Sequence, residues 1–131
     1  MIDGAARGNP GPAGAGVVLK GAGDRDIQEG VFIGEATNNV AEYSALVHGL
    51  ELARKIGLRD LLVQSDSQLL VRQMKGEYRV KNEKLKKLFA RAQETASHFD
   101  NVSYLHVPRE KNRQADSLAN MAVDAKGKVF L

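Results

Sequence analysis

The chain contains no cysteine among its 131 residues, which excludes disulfides, zinc-thiolate sites, iron-sulfur clusters and thiol nucleophiles. Any bound metal must be held by oxygen or by one of three histidines. Tryptophan is absent too, and four Phe with three Tyr leave few candidates for a platform that stacks single-stranded bases. No apolar run approaches the ~18 residues of a membrane span, and no basic-then-apolar leader opens the chain. A cytoplasmic protein without membrane contact is expected. There is no repeat of fixed period, no low-complexity tract and no Pro/Ser-rich linker, so residues 1–131 are expected to form one domain.

What is present has a globular balance, 43% apolar and 27% charged. Nineteen Lys and Arg against 16 Asp and Glu give a net charge of +3, which is only mildly basic. Such a charge permits a polyanionic partner without demanding one, and favours phosphate-backbone contact as the mode of nucleic-acid binding.

Along the chain, Met1-Ile2 is a short apolar start that runs into Asp3-Gly4 and then the stretch Gly8-Asn9-Pro10-Gly11-Pro12-Ala13-Gly14. Prolines and glycines so close together predict a tight loop. Residues 16–20 read as a strand, 21–26 as a turn, and 27–34 as a returning strand with Val31 and Ile33 on one face. From Asn39 the period becomes helical, through Val40, Tyr43, Leu46, Val47, Leu50 and Ala53, with Asn38 or Asn39 as cap and Gly57 as stop. Leu61-Leu62-Val63 suits a strand buried on both faces. Helices are predicted over 67–74, 83–98 and 112–125, and a strand over 102–107. This order implies an α/β fold in which a mixed sheet, an antiparallel meander followed by parallel strands, is flanked by helices.

Four acids break the local pattern. Asp3 ends an apolar strand start; Glu42 lies on the helical side that carries Leu46, Leu50 and Ala53; Asp66 follows the apolar run at 61–63; Asp116 adjoins the small apolar stripe of the last helix. Each has a plainer role when taken singly: turn former, first-turn Glu, helix cap, solvated helical acid. Together, on four different elements, they are placed to converge on one point of the sheet. Such a cluster repels itself unless divalent cations neutralise it, and oxygen-only ligands suit Mg²⁺ or Mn²⁺. Two ions about 3.5–4 Å apart would clamp the attacking and leaving oxygens of a phosphodiester. The glycine-rich stretch offers no competing nucleotide motif: Val17 stands where a P-loop needs lysine, and Leu19 where a dinucleotide fingerprint needs its third glycine.

Four blocks now resemble the ribonuclease HI (type 1 RNase H) family: Asp3-Gly4-Ala5-Ala6-Arg7-Gly8-Asn9-Pro10-Gly11-Pro12, Thr37-Asn38-Asn39-Val40-Ala41-Glu42-Tyr43, Ser65-Asp66-Ser67-Gln68, and Asn112-Arg113-Gln114-Ala115-Asp116-Ser117-Leu118-Ala119. They span nearly the whole chain in the family's order, and the four together are strongly specific. The resemblance implies a five-stranded mixed sheet with its first three strands antiparallel. It also implies endonucleolytic hydrolysis of the RNA strand of RNA/DNA hybrids, leaving 3′-hydroxyl and 5′-phosphate ends. Carried over by motif, Asp3, Glu42, Asp66 and Asp116 would be the metal-binding carboxylates, with Asp3 shared by two ions. The Gly4, Ala5 and Ala6 backbone with Asn9, Asn38, Asn39 and Gln68 would hydrogen-bond the hybrid's minor groove, and Thr37 would lie near a DNA phosphate. No protein partner is implied, and a monomer is expected.

The chain departs from the better-known bacterial pattern in three places. The segment Val107-Pro108-Arg109-Glu110-Lys111-Asn112 lacks a catalytic-loop histidine; His106 falls in a predicted strand, and Arg109 is the candidate for that role. No long basic, tryptophan-containing handle lies between Gln73 and Asn82, although Lys84, Lys87 and Arg91 form a basic helical face. Only Met1 and Ile2 precede Asp3, so the strand that carries it is expected to lose pairing. Two other readings of the same residues are a non-catalytic hybrid-binding module of this fold and an integrase-like nuclease. The second shares the carboxylate logic but leaves the Asn pair and the Gly4 to Asn9 loop without a role.

Overall fold

The computed structural model describes residues 1–21 and 26–131. The predicted turn at 21–26 therefore lies largely outside the described residues. Three strands, β1 (Ile2–Ala6), β2 (Gly11–Leu19) and β3 (Ile27–Ala36), form the antiparallel meander, and the two-residue β6 (Val129–Phe130) adds to the edge of β3. Between them in sequence come α1 (Asn38–Lys55), β4 (Asp60–Ser65), α2 (Gln68–Met74), α3 (Glu83–Ala96), β5 (Asn101–His106), a single 3₁₀ turn at Arg109–Lys111, and α4 (Arg113–Ala125).

Helix starts follow local chemistry. Thr37, rather than Asn38 or Asn39, caps α1, its hydroxyl accepting from the Val40 N–H at 3.2 Å. Ser67 and Asn82 do the same for α2 and α3. Gly57, the predicted stop, follows the end of α1, and Gly76 follows α2 in the same way, both with positive φ. The Gly/Pro stretch is less loop than expected: β2 begins at Gly11, so the turn closes within Arg7–Pro10.

The expected five-stranded mixed sheet is not what forms. The strands make a four-stranded antiparallel sheet in the order β1-β2-β3-β6 and a separate parallel pair, β4-β5. β1 uses its five residues on the ladder with β2, from Ile2 opposite Val17 to Ala6 opposite Ala13, and makes none with β4, whose partner is β5. β4 also differs from the doubly buried strand predicted: Val63 is buried, but Leu62 is 51% exposed.

The main core lies beneath α1, where Ile2, Val17, Tyr43, Leu46, Leu50 and Val63 pack together. On the opposite face α4 sits directly on the β2 and β3 backbone. A Cβ at Gly14, Gly16 or Gly30 would strike the carbonyl oxygens of Ala119, Ala115 and Leu118 respectively. These glycines, which fit no nucleotide fingerprint, are the seat of the last helix. Among the described residues, no helix is long and apolar enough to cross a membrane.

Candidate active site

Asp3 stands in β1 and is 4% exposed. Its strand can approach α1 closely because Gly4 follows: a Cβ there would collide with the backbone of Ala41 and Glu42. The same approach lets the Gly4 N–H donate to Glu42 Oε2 at 3.2 Å, which aims the Glu42 side chain at β1. Asp66 arrives from the end of β4. Its turn is fixed by buried Ser65, whose Oγ accepts from the Ser67 N–H at 3.0 Å. Ligand oxygens of Asp3, Glu42 and Asp66 all lie within 4.8 Å of one another.

Asp116 comes from the other side, on α4, and faces Asp3 closely enough to share a hydrogen bond with it. Asn120, one turn on, donates to the Asp116 carbonyl at 3.0 Å and to Oδ1 at 3.3 Å, which orients the carboxylate. The helix is pinned by Asn112, fully buried, whose Nδ2 donates to the Ile2 carbonyl at 2.8 Å. It is tied again by Arg7, which pairs with Asp124 at 2.6 Å and reaches the Asn120 carbonyl at 3.3 Å.

The electrostatics follow from burial. Desolvation raises the Asp3 pKa well above the carboxylate range, and the charges of Glu42, Asp66 and Asp116 raise it further. Glu42 is raised as well, first by desolvation and then by Asp66, against the opposing pull of the Gly4 N–H, Asp3 and Arg109. Three converging carboxylates with two of them pushed toward protonation are a donor set that a divalent cation would relieve, and hard oxygen ligands fit Mg²⁺ or Mn²⁺.

Of the other residues singled out in the sequence, Arg109 reaches the site's edge: its Nε is 4.0 Å from Asp66 Oδ2, on a side chain 88% exposed. His106 ends β5 in register with Ser65 and is exposed. Asn9, Asn38, Asn39 and Thr37 gather on one concave surface, and Gln68 lies exposed at the start of α2, two residues past Asp66. Two of these side chains are held by backbone groups. Asn38 Oδ1 accepts from the Ala6 N–H at 3.1 Å, and Asn9 Oδ1 accepts from the Asn38 N–H at 3.0 Å. Gly4, Ala5 and Ala6 run in β1 beside this surface.

Lys84, named in the sequence as part of a basic helical face, lines the same concavity as Thr37 and Asn39; Asn82 beside it, and Asn112 and Asn120, which position β1 and Asp116, had no role in the sequence reading. The signal for Asn82 was its cap position ahead of the basic helix; Asn112 had none beyond its place in the motif, and Asn120, just past that block, had none.

An acidic cluster where β1, α1, β4 and α4 meet, built around buried Asp3, defines the class: an α/β protein with a carboxylate site of a kind that could hold a cation. A family profile described as reverse transcriptase-like matches residues 1–122. The chain is 46% identical to the ribonuclease HI of Halobacterium salinarum, over 94% of this chain and 62% of that protein. It is 48% identical to a bifunctional protein of Mycobacterium tuberculosis, over 94% of this chain but only 34% of that one. The crystal structure of the Halobacterium salinarum RNase H1 superimposes with a TM-score of 0.89 at 45% identity, covering 95% of each chain. LC11-RNase H1, solved in complex with an RNA/DNA hybrid, gives 0.85 at 44% identity, again over 95% of each. The chain belongs to the type 1 ribonuclease H family. It spans about a third of the length of the mycobacterial relatives it matches.

Proposed function

We propose that this chain, acting as a single catalytic domain over residues 1–131, hydrolyses the RNA strand of RNA/DNA hybrids and leaves 3′-hydroxyl and 5′-phosphate ends. The observation that carries the reading is the convergence of Asp3, Glu42 and Asp66 within 4.8 Å, with Asp116 against Asp3 from α4. Family membership and a relative that binds a hybrid support the choice of substrate.

In this reading Asp3, Glu42, Asp66 and Asp116 would hold two Mg²⁺ or Mn²⁺ ions, with Asp3 facing the other three acids. When bound, such ions supply the activation of water and the charge stabilisation that phosphodiester hydrolysis needs. The chain's own residues place the substrate. With their Oδ1 atoms engaged by backbone N–H groups, the exposed Asn9 and Asn38 would use their Nδ2 donors toward the substrate, together with Asn39, Gln68 and the Gly4 to Ala6 backbone. That row of hydrogen-bonding groups suits a minor groove and its 2′-hydroxyls, which distinguish RNA from DNA. Thr37 would meet a phosphate of the DNA strand, with Asn82 and Lys84 adding a donor and a positive charge to the same concavity. Arg109, exposed and 4.0 Å from Asp66, would assist release of product.

The test is cleavage of a labelled RNA/DNA hybrid beside single-stranded RNA, duplex RNA and duplex DNA, each with EDTA, Mg²⁺ or Mn²⁺. Metal-dependent cutting confined to the RNA strand of the hybrid is expected. Tight binding of hybrid without turnover in either metal would replace this reading with a binding module, and cutting of duplex DNA would replace it with a nuclease of broader substrate.

A further inference from the structure

Gln73, near the end of α2, is a polar side chain in the interior, only 4% exposed. An amide so placed costs free energy unless both of its ends are bonded. Here they are: the Tyr43 hydroxyl donates to Oε1 at 2.6 Å, and Nε2 donates to the Arg79 carbonyl at 3.1 Å. One side chain therefore joins α1, α2 and the stretch ahead of α3. Tyr43 is itself buried, follows Glu42 in α1 and meets Phe89 of α3 edge-on, with ring centroids 6.5 Å apart.

The stretch that Gln73 reaches has few other ties. Residues 75–82 form neither helix nor strand. Their first part closes on Arg72, whose carbonyl accepts from the Glu77 and Tyr78 N–H groups at 2.9 and 3.3 Å. From Arg79 to Lys81, among the described residues, no backbone-to-backbone bond reaches the rest of the fold; Val80 packs against the core and Gln73 takes the Arg79 carbonyl. Asn82 follows at once and caps α3, its Oδ1 accepting from the Lys84 and Leu85 N–H groups at 2.9 and 3.2 Å. Asn82 and Lys84 then line the concavity that Thr37, Asn38 and Asn39 line from α1.

We propose that Gln73 is a positioning residue for substrate: bonded at one end to Tyr43, it fixes the Arg79 carbonyl and, through it, the place of Asn82 and Lys84 in the concavity. The inference rests on the hydrolase reading, in which that concavity receives a phosphate of the DNA strand, and adds to it a residue that never touches the hybrid. A buried amide suits this task better than an apolar side chain of the same size. Packing alone leaves a loop carbonyl free to slide, whereas a hydrogen bond in a low-dielectric interior fixes its distance and direction.

The test uses Gln73→Met, the double variant Tyr43→Phe with Gln73→Met, and Lys84→Ala, alone and combined with Gln73→Met, in steady-state cleavage of a hybrid with Mg²⁺. Gln73→Met is expected to raise KM about fivefold with little change in kcat, the size of one weakened contact. The double variant replaces both buried partners by apolar groups of similar shape, so it should melt near the temperature of the unaltered chain and still carry the KM defect. A merely structural role would not give that split. Lys84→Ala is expected to raise KM less in the Gln73→Met chain than in the unaltered one, because the lysine is already displaced. Trypsin, which cuts after Lys and Arg, should cut after Arg79 and Lys81 faster in both Gln73 variants with no substrate present. A double variant with unaltered KM, a Lys84→Ala effect of equal size in both backgrounds, or unchanged cutting after Arg79 and Lys81 would each overturn the proposal. An unaltered chain that neither binds nor cuts hybrid would instead sink the hydrolase reading, and the trypsin result would still decide whether Gln73 holds the stretch.

Discussion

β2 lies between α1 and α4 with Val17 and Val18 each 1% exposed, whereas β4 keeps one face covered and the other open, with Val63 at 5% and Leu62 at 51%. The acidic site sits where these two regions meet. Asp3 comes from the sheet that is packed on both sides, Asp66 from the pair that is packed on one. In the first region the backbone of α4 rests on Gly14, Gly16 and Gly30, so the position of Asp116 over Asp3 is set by hard contact. In the second, Asp66 is placed by a short turn and one buried serine. The difference teaches that a site of this kind needs a rigid base for its most buried acid and tolerates a softer mount for a ligand at the rim.

The sharpest way to probe the contrast is at its centre. Asp3→Asn is expected to lower hybrid cleavage on the order of 10³-fold, the scale on which one group that stabilises developing charge acts in a water-excluded site. The same substitution should leave hybrid affinity largely intact and should not destabilise the metal-free protein, because it removes a desolvated, repelled carboxylate. Cleavage assays, binding titration and unfolding in EDTA would check the three parts, and loss of folding would contradict the last.

Next in size is the seat of α4. Gly16→Val puts a branched side chain against the Ala115 carbonyl and is expected to cost about 3 kcal/mol, at the upper end for forced overpacking. Denaturant unfolding would measure it. A loss near zero would mean that α4 can shift without consequence and that the contrast between the two regions is overstated.

A smaller effect is expected from pH. Asp3 and Glu42 have folded pKa values raised above those of the unfolded chain, so the folded state holds more protons between the two values. Stability then declines as pH rises through that window. In EDTA the melting temperature should fall between pH 5 and pH 9 by roughly a few degrees, less so in Glu42→Gln, and Mg²⁺ should recover it at the alkaline end. A melting temperature that climbs over this range would contradict the direction given for both acids.

Least affected should be the open face of β4. Leu62→Thr is expected to change stability by no more than about 0.5 kcal/mol, since half the side chain already meets water. A cost several times larger would show that this face is covered in solution and that the two regions are more alike than they look.

The four acids were legible in the sequence because each violates its local pattern, and a charge beside Leu46 and Leu50 is hard to excuse by local rules. The stops were legible because Gly57 and Gly76 act within a few residues of themselves, whereas the cap of α2 is Ser67, one residue past the Asp66 that the sequence offered. Thr37 displaced the two asparagines as cap of α1 because the Asn38 side chain accepts from Ala6, across the fold, and Asn9 accepts from Asn38 in turn. No local rule exposes such exchanges. The role of Asn112, bonded to Ile2 from the far end of the chain, was hidden in the same way.

Composition and spacing by themselves determined the chemistry on offer: no thiolate ligands, four acids on four elements, and a family pattern that spans the chain. Tertiary structure alone decided how those acids meet. It set which face of each element is desolvated, how closely α4 approaches β2, and whether β1 joins β4 in one sheet. The physical reason is range. Capping, turns and periodicity are fixed by neighbours along the chain, whereas desolvation, close backbone approach and strand pairing depend on surfaces brought together from distant positions.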